Sequence, residues 1–170
     1  MKTIYRRRFL LKDLPAPLTR ASEHLQFFDN YLTETRLLLR QIRTPKTRLW
    51  ERKFVQEFPV ETSDLSKLNY AEIDLSEYEY EVLSVFEGNE LRYNRYFYEL
   101  ETRNLKIDMI LNRELWNLIF ASAEFETEAE MRSFSPPDFA AREITQSEFF
   151  LPQNLANSTL EDVKKHLEII

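Results

Sequence analysis

Charged residues recur at every second position along one strand-like segment after another. No other feature of the sequence limits the possible folds as much. In a β-strand, residues two apart point to the same face. On that rule Arg6 and Arg8 share a face with Ile4, Arg36 and Arg40 with Leu38, and Arg95 with Tyr93. Glu51 goes with Lys53, Glu72 with Asp74, Lys106 with Asp108, and Glu124 with Ser122. The opposite faces of several segments are apolar or aromatic: Tyr5, Phe9 and Leu11 around Arg7, Leu37 and Leu39, and Ile107, Met109 and Leu111. Two arrangements account for this. The charges form the solvent face of ordinary half-buried sheets, or they line the inside of a closed barrel with helices packed outside. In the second case the interior charges must pair or meet a ligand, because isolated buried charge is costly.

The segments that read as strands are Ile4 to Leu11, Leu25 to Leu32, Thr35 to Ile42 and Thr47 to Phe58, with a turn at "TPK" (Thr44 to Lys46). Tyr93 to Leu100 and Leu105 to Leu111 read as a hairpin joined through "ETRN". Leu115 to Glu126 pairs next, and Arg142 to Thr145 is a late short strand. "LPAPL" (Leu14 to Leu18) begins a helix or turn that runs on through His24. Three helices open with capping boxes, in which a hydroxyl accepts from the backbone and a glutamate three residues on reaches back: Ser76 with Glu79, Thr127 with Glu130, and Ser158 with Glu161. Leu75, Tyr78, Val82 and Val85 share one helical face, as do Leu160, Val163 and Leu167, and both faces are expected to pack on the core. The fold class expected is α+β, a single domain over residues 1–170 dominated by antiparallel strands.

Composition removes several function classes. A chain of 170 residues that is 43% hydrophobic buries a sizeable core. There is no cysteine, so disulfides and thiolate metal sites are excluded, and His24 and His166 offer no zinc spacing. The single glycine, Gly88, excludes glycine-rich phosphate loops and dinucleotide fingerprints, so any phosphate must be held by side chains. A formal charge of -6 speaks against a nucleic-acid partner, despite the cation–aromatic interleaving of "RYNRYFY" (Arg92 to Tyr98). No apolar run of membrane-spanning length occurs, so no membrane partner is expected. The apolar stretch after Arg6, Arg7 and Arg8 breaks at Lys12 and Asp13, too soon for a secretory signal, and a cytoplasmic location is expected.

The order of motifs resembles the CYTH superfamily, the triphosphate tunnel metalloenzymes. The family opens with E-x-E-x-K running into "FL", which corresponds to Ile4-Tyr5-Arg6-Arg7-Arg8-Phe9-Leu10. "NYL" (Asn30 to Leu32), "RLLLR" (Arg36 to Arg40) and "WERK" (Trp50 to Lys53) follow, then a paired-acid segment at "AEID" (Ala71 to Asp74). "YNRY" (Tyr93 to Tyr96), "KID" (Lys106 to Asp108), "SAEF" (Ser122 to Phe125) and "EIT" (Glu143 to Thr145) complete the series. The resemblance implies an eight-stranded antiparallel tunnel. In it, basic side chains grip a triphosphate and carboxylates hold Mg or Mn. The chemistry suits those roles, since phosphate takes Arg and Lys donors and hard divalent cations take oxygen ligands.

The basic positions of the pattern persist, and Arg6, Arg8, Arg36, Arg40, Lys53, Arg95 and Lys106 are the candidate phosphate-binding residues. The acidic ones largely do not. Ile4 and Arg6 stand in place of the first-strand glutamates, Lys106 and Ser122 in place of later acids. Asp108, Glu124, Glu72 and Asp74 remain as metal ligands if metal is bound, with Glu57 an alternative for the paired acids. Arg6 puts a cation where the family puts a metal ligand, and two like charges at close range repel by roughly 4 kcal/mol at an intermediate dielectric. Three functions follow: a barrel that binds a phosphorylated small molecule with reduced or no hydrolysis, an active metal-dependent triphosphatase, or a structural or interaction domain with a salt-bridged interior.

Overall fold

The strand segments pair into a ring. A computed structural model describes residues 1–169 of the chain. Its strands are β1 (Lys2–Leu11), β2 (Leu25–Leu32), β3 (Leu37–Thr44), β4 (Leu49–Glu61), β5 (Asp64–Asp74), β6 (Gly88–Leu100), β7 (Arg103–Ile110), β8 (Ile119–Phe125) and β9 (Ala140–Glu143). The pairing order is β5-β4-β3-β2-β6-β7-β8-β1-β9. A further β5–β1 pairing closes the first eight strands into an antiparallel barrel and leaves β9 beside the far half of β1. Closure removes the exposed edges that an open sheet would carry. β5 is longer than the paired-acid segment at its end suggested, because Leu65, Ser66 and Leu68 are buried along its first half.

The barrel has an inside core and an outside core. Inside one end, Leu10, Phe27, Ile42, Leu91, Tyr93, Ile110 and Phe120 pack with Phe150, Leu155 and Val163. These last residues belong to a short turn and to helices α3 (Pro152–Leu155) and α4 (Leu160–Ile169), so the C-terminal segment plugs that end of the barrel. On the outside, Phe9, Leu11, Tyr96, Ile107, Met109, Ala121, Ala123 and Phe125 are covered by Leu14, Leu18, Phe134, Phe139 and Met131 of helix α2 (Glu128–Ser133). The Leu14-to-His24 segment crosses that face as turns, not as a helix. No helix among the described residues is long and apolar enough to cross a membrane.

The capping boxes at Ser76 and Thr127 form as expected. The third cap sits one residue later than expected. Thr159 accepts from the Asp162 backbone and Asp162 reaches back, in place of Ser158 and Glu161. Helix α1 (Glu77–Leu83) buries nothing, and its apolar face is turned to solvent: Tyr78 is 74% exposed and Val85 80%. The expectation that this face packs on the core is therefore corrected. Leu75, Tyr80 and Leu83 are the half-buried residues of that connection.

Four turn residues adopt the left-handed conformation without glycine: Glu34, Arg48, Glu101 and Asn117, at φ 55 to 68°. The one glycine serves a different need. A Cβ on Gly88 would lie 2.7 Å from the Tyr31 carbonyl oxygen and press on the Asn30 side chain. The β2–β6 pairing leaves that carbonyl no room to retreat. Gly88→Ala is expected to destabilise the fold by about 1–3 kcal/mol, as overpacking does, read from the midpoint of urea unfolding.

Candidate functional site

Cross-strand register decides which charges meet. Arg6 lies opposite Glu124, Arg40 opposite both Asp29 and Lys53, and Arg95 opposite Asp108. Residues directly opposite on paired strands point to the same face, which for these pairs is the inside of the barrel. There they surround a cavity of about 200 Å³ that Arg6, Arg8, Arg40, Arg95, Lys106, Glu57, Glu72, Asp108 and Glu124 help to line. Arg7, between the two inward arginines, points out and forks onto Glu143 with two bonds of 2.8 Å.

Most interior cations are held by carboxylates. Arg40 donates to both oxygens of Asp29 at 2.7 and 2.8 Å, and Tyr93 Oη donates to the same group at 2.8 Å. Asp29 is 0% exposed. Arg95 forks onto Asp108 at 2.7 and 2.8 Å. Arg6 forks onto Glu57 at 2.8 and 3.0 Å and also reaches Glu124, whose other oxygen takes Lys106 Nζ at 2.9 Å. Lys53 sits at the rim between Glu72 (3.0 Å) and Asp74 (3.1 Å). Tyr70 Oη also donates to Glu72.

Arg8 is the exception. Among the described residues it has no carboxylate partner; its Nη1 donates to the Phe150 carbonyl at 2.6 Å and its guanidinium lies over the Phe120 ring. Burial, together with the neighbouring Arg6, pushes its pKa down to about 10. Lys2, which also lacks a carboxylate, is exposed at the mouth, near the Tyr70 ring. Deep in the barrel, Arg6, Arg8, Arg40, Arg95 and Lys106 thus face Asp29, Glu57, Asp108 and Glu124, an excess of one positive charge that resides on Arg8. Tyr31 and Tyr93 are held protonated, first by burial and then by Asp29, so both serve the interior as neutral hydroxyls.

The acids of this network set a pH limit. Burial favours the neutral form of Glu124, but Arg6 and Lys106 overcome it and hold the carboxyl down at about 2. Glu57 is likewise lowered, with Arg6 outweighing burial. Both carboxyls ionise more readily in the fold than in the unfolded chain. Their contribution to stability is complete above the ordinary carboxylate pKa and is lost as pH falls from there towards about 2. The thermal midpoint is expected to fall steeply across that window, and Glu57→Gln to flatten the fall.

No model of a known protein family matches the chain, and no curated protein matches it. Solved structures do. A crystal structure of NE1496 described as a hypothetical protein superposes with a TM-score of 0.60 at 20% identity, covering 92% of this chain and 99% of that one. A crystal structure described as that of the inorganic triphosphatase NE1496 gives 0.60 at 22% identity, covering 93% of this chain and 97% of that one. The fold of this chain is that of the NE1496 structures.

The barrel gathers some of the residues singled out from the sequence and leaves others apart. Arg6, Arg8, Arg40, Arg95, Lys106, Asp108, Glu124 and Glu72 line one cavity. Lys53 and Asp74 lie outside that lining, at the rim, and Asp74's side chain is 87% exposed. Arg36 is exposed just before β3, its guanidinium 3.9 Å from the Phe58 ring centre and away from the cavity. Asp29 was not singled out, although its position is readable: it is the lone acid on the inward face of β2, between Phe27 and Tyr31. The carboxylates do not suit the divalent ion that the sequence resemblance implies. Each is already engaged by a cation, and no three acidic or histidine side chains among the described residues converge as metal ligands.

Proposed function

We propose that this barrel binds a phosphorylated small anion, with the phosphate group at Arg8, and that hydrolysis is weak or absent. The observation that carries the reading is the uncompensated Arg8 guanidinium inside an otherwise paired interior. A desolvated cation without a counter-ion is unfavourable, and an entering oxyanion supplies the missing charge and hydrogen-bond acceptors. Ser122, opposite Arg8 across β1 and β8, is on the same wall and offers a further donor. The cavity of about 200 Å³ is below the roughly 300–1,000 Å³ of sites that enclose drug-sized ligands. It favours a compact phosphate over a whole nucleotide. Weak hydrolysis follows from the acids being tied to cations, which leaves none placed to activate water.

NE1496 is described as an inorganic triphosphatase, which makes triphosphate the first ligand to test alongside pyrophosphate and orthophosphate. Calorimetric titration of the purified chain is expected to show one site, and phosphate release from triphosphate to stay at background. Absence of binding by every phosphate anion overturns the reading. It would favour the second one, a structural barrel held by internal salt bridges, which the paired state of Arg6, Arg40, Arg95 and Lys106 supports. Phosphate release with Mg or Mn that is lost in Asp108→Asn would instead favour an active triphosphatase.

A further inference from the structure

We infer that Arg6 and Lys106 stand in for the divalent cation of this barrel, so that phosphate is taken without metal. The ligand half of this inference rests on the proposed anion-binding function; the metal half does not.

The geometry is a closed four-charge cluster. Arg6 Nη1 and Nη2 donate to the two oxygens of Glu57 at 2.8 and 3.0 Å. Arg6 Nε and Nη2 donate to one oxygen of Glu124 at 3.1 and 2.9 Å, and Lys106 Nζ takes the other at 2.9 Å. Two positive charges, the same as on one divalent ion, are thereby fixed between two carboxylates on the cavity wall. The cluster is neutral, so it offers a metal ion no net attraction. An incoming ion would have to strip Glu57 and Glu124 from Arg6 and leave a bare guanidinium beside itself.

The cluster can still serve a phosphate. A guanidinium has five N–H donors and an ammonium three. Arg6 spends four in the cluster and keeps one, and Lys106 spends one and keeps two. These remaining donors belong to cavity-lining side chains. What the cluster cannot do is act as a Lewis acid on bound water, a role that belongs to metal ions. The same substitution thus permits binding and removes hydrolysis.

Two measurements test the inference. The wild-type chain is titrated with Mn2+ in the absence of phosphate, following free Mn2+ by electron paramagnetic resonance; no bound Mn2+ is expected. Orthophosphate is then titrated with chelator and with Mg2+, and the affinities are expected to agree within twofold. One-to-one binding of Mn2+ that Glu124→Gln abolishes, or phosphate binding tenfold or more tighter with Mg2+, overturns the inference. Arg6→Glu places a third carboxylate beside Glu57 and Glu124. It is expected to gain one Mn2+ site, and a folded Arg6→Glu chain that binds no Mn2+ also overturns it. If Arg6→Glu does not fold, the wild-type Mn2+ titration still decides. Because that titration uses no phosphate, failure of the anion-binding function is read separately, from the calorimetry.

Discussion

Asp29→Asn is expected to destabilise the barrel by about 3–5 kcal/mol, the usual result of breaking a buried ion pair by removing one partner. The substitution keeps the shape and deletes the charge. Asp29 is 0% exposed and accepts both Nε and Nη2 of Arg40 and the hydroxyl of Tyr93. Without the carboxylate, Arg40 remains in the interior among Phe27, Leu38 and Leu91 with no counter-ion. For a chain of this length the loss corresponds to a fall of about 6–20 °C in the thermal midpoint. Joint replacement, Asp29→Leu with Arg40→Met, removes both charges at once and is expected to cost far less than either single change, because no orphan ion is left. A change under 1 kcal/mol in Asp29→Asn, measured by urea unfolding, would show that the pair does not hold β2 to β3.

Arg8→Gln is expected to move stability and binding in opposite directions. The Arg8 guanidinium is carried into the fold without a carboxylate, with its pKa drawn down to about 10 by burial and by Arg6. A neutral amide can still donate to the Phe150 carbonyl, so the urea midpoint is expected to hold or rise. Phosphate affinity is expected to fall about 10- to 150-fold, which corresponds to losing a charged hydrogen bond of about 1.5–3 kcal/mol. A barrel that merely used Arg8 for packing would show the reverse, lower stability and unchanged titration curves. The comparison with Asp29→Asn separates the cation that holds the fold from the one that awaits a ligand.

The two inward arginines of β1 were readable because period two is a property of any strand. Arg6, Arg8, Arg95, Lys106, Asp108 and Glu124 all fall on the charged strand faces that this period marks, and they meet in one cavity. Arg36 fits the same parity and yet is exposed, because β3 begins one residue later, at Leu37, and parity does not say where a strand ends. Lys53 illustrates a related limit: its face is right, but it sits near the start of β4 at the rim. Helix α1 departs for another reason. Tyr78, Val82 and Val85 form a periodic apolar stripe, but the connection from β5 to β6 lays Tyr80 and Leu83 inward instead.

The sequence by itself determined most of the strand segments, which residues share a strand face, two of the three helix caps and the exclusion of glycine-loop and thiolate chemistry. Each follows from local geometry or from residues that are simply absent. Only the tertiary structure decided which inward charges neutralise one another. Arg6 is 51 residues from Glu57 and 118 from Glu124, and no local rule brings them together. Barrel closure and strand register do, and in doing so they leave Arg8 the one interior cation among the described residues with its charge unanswered.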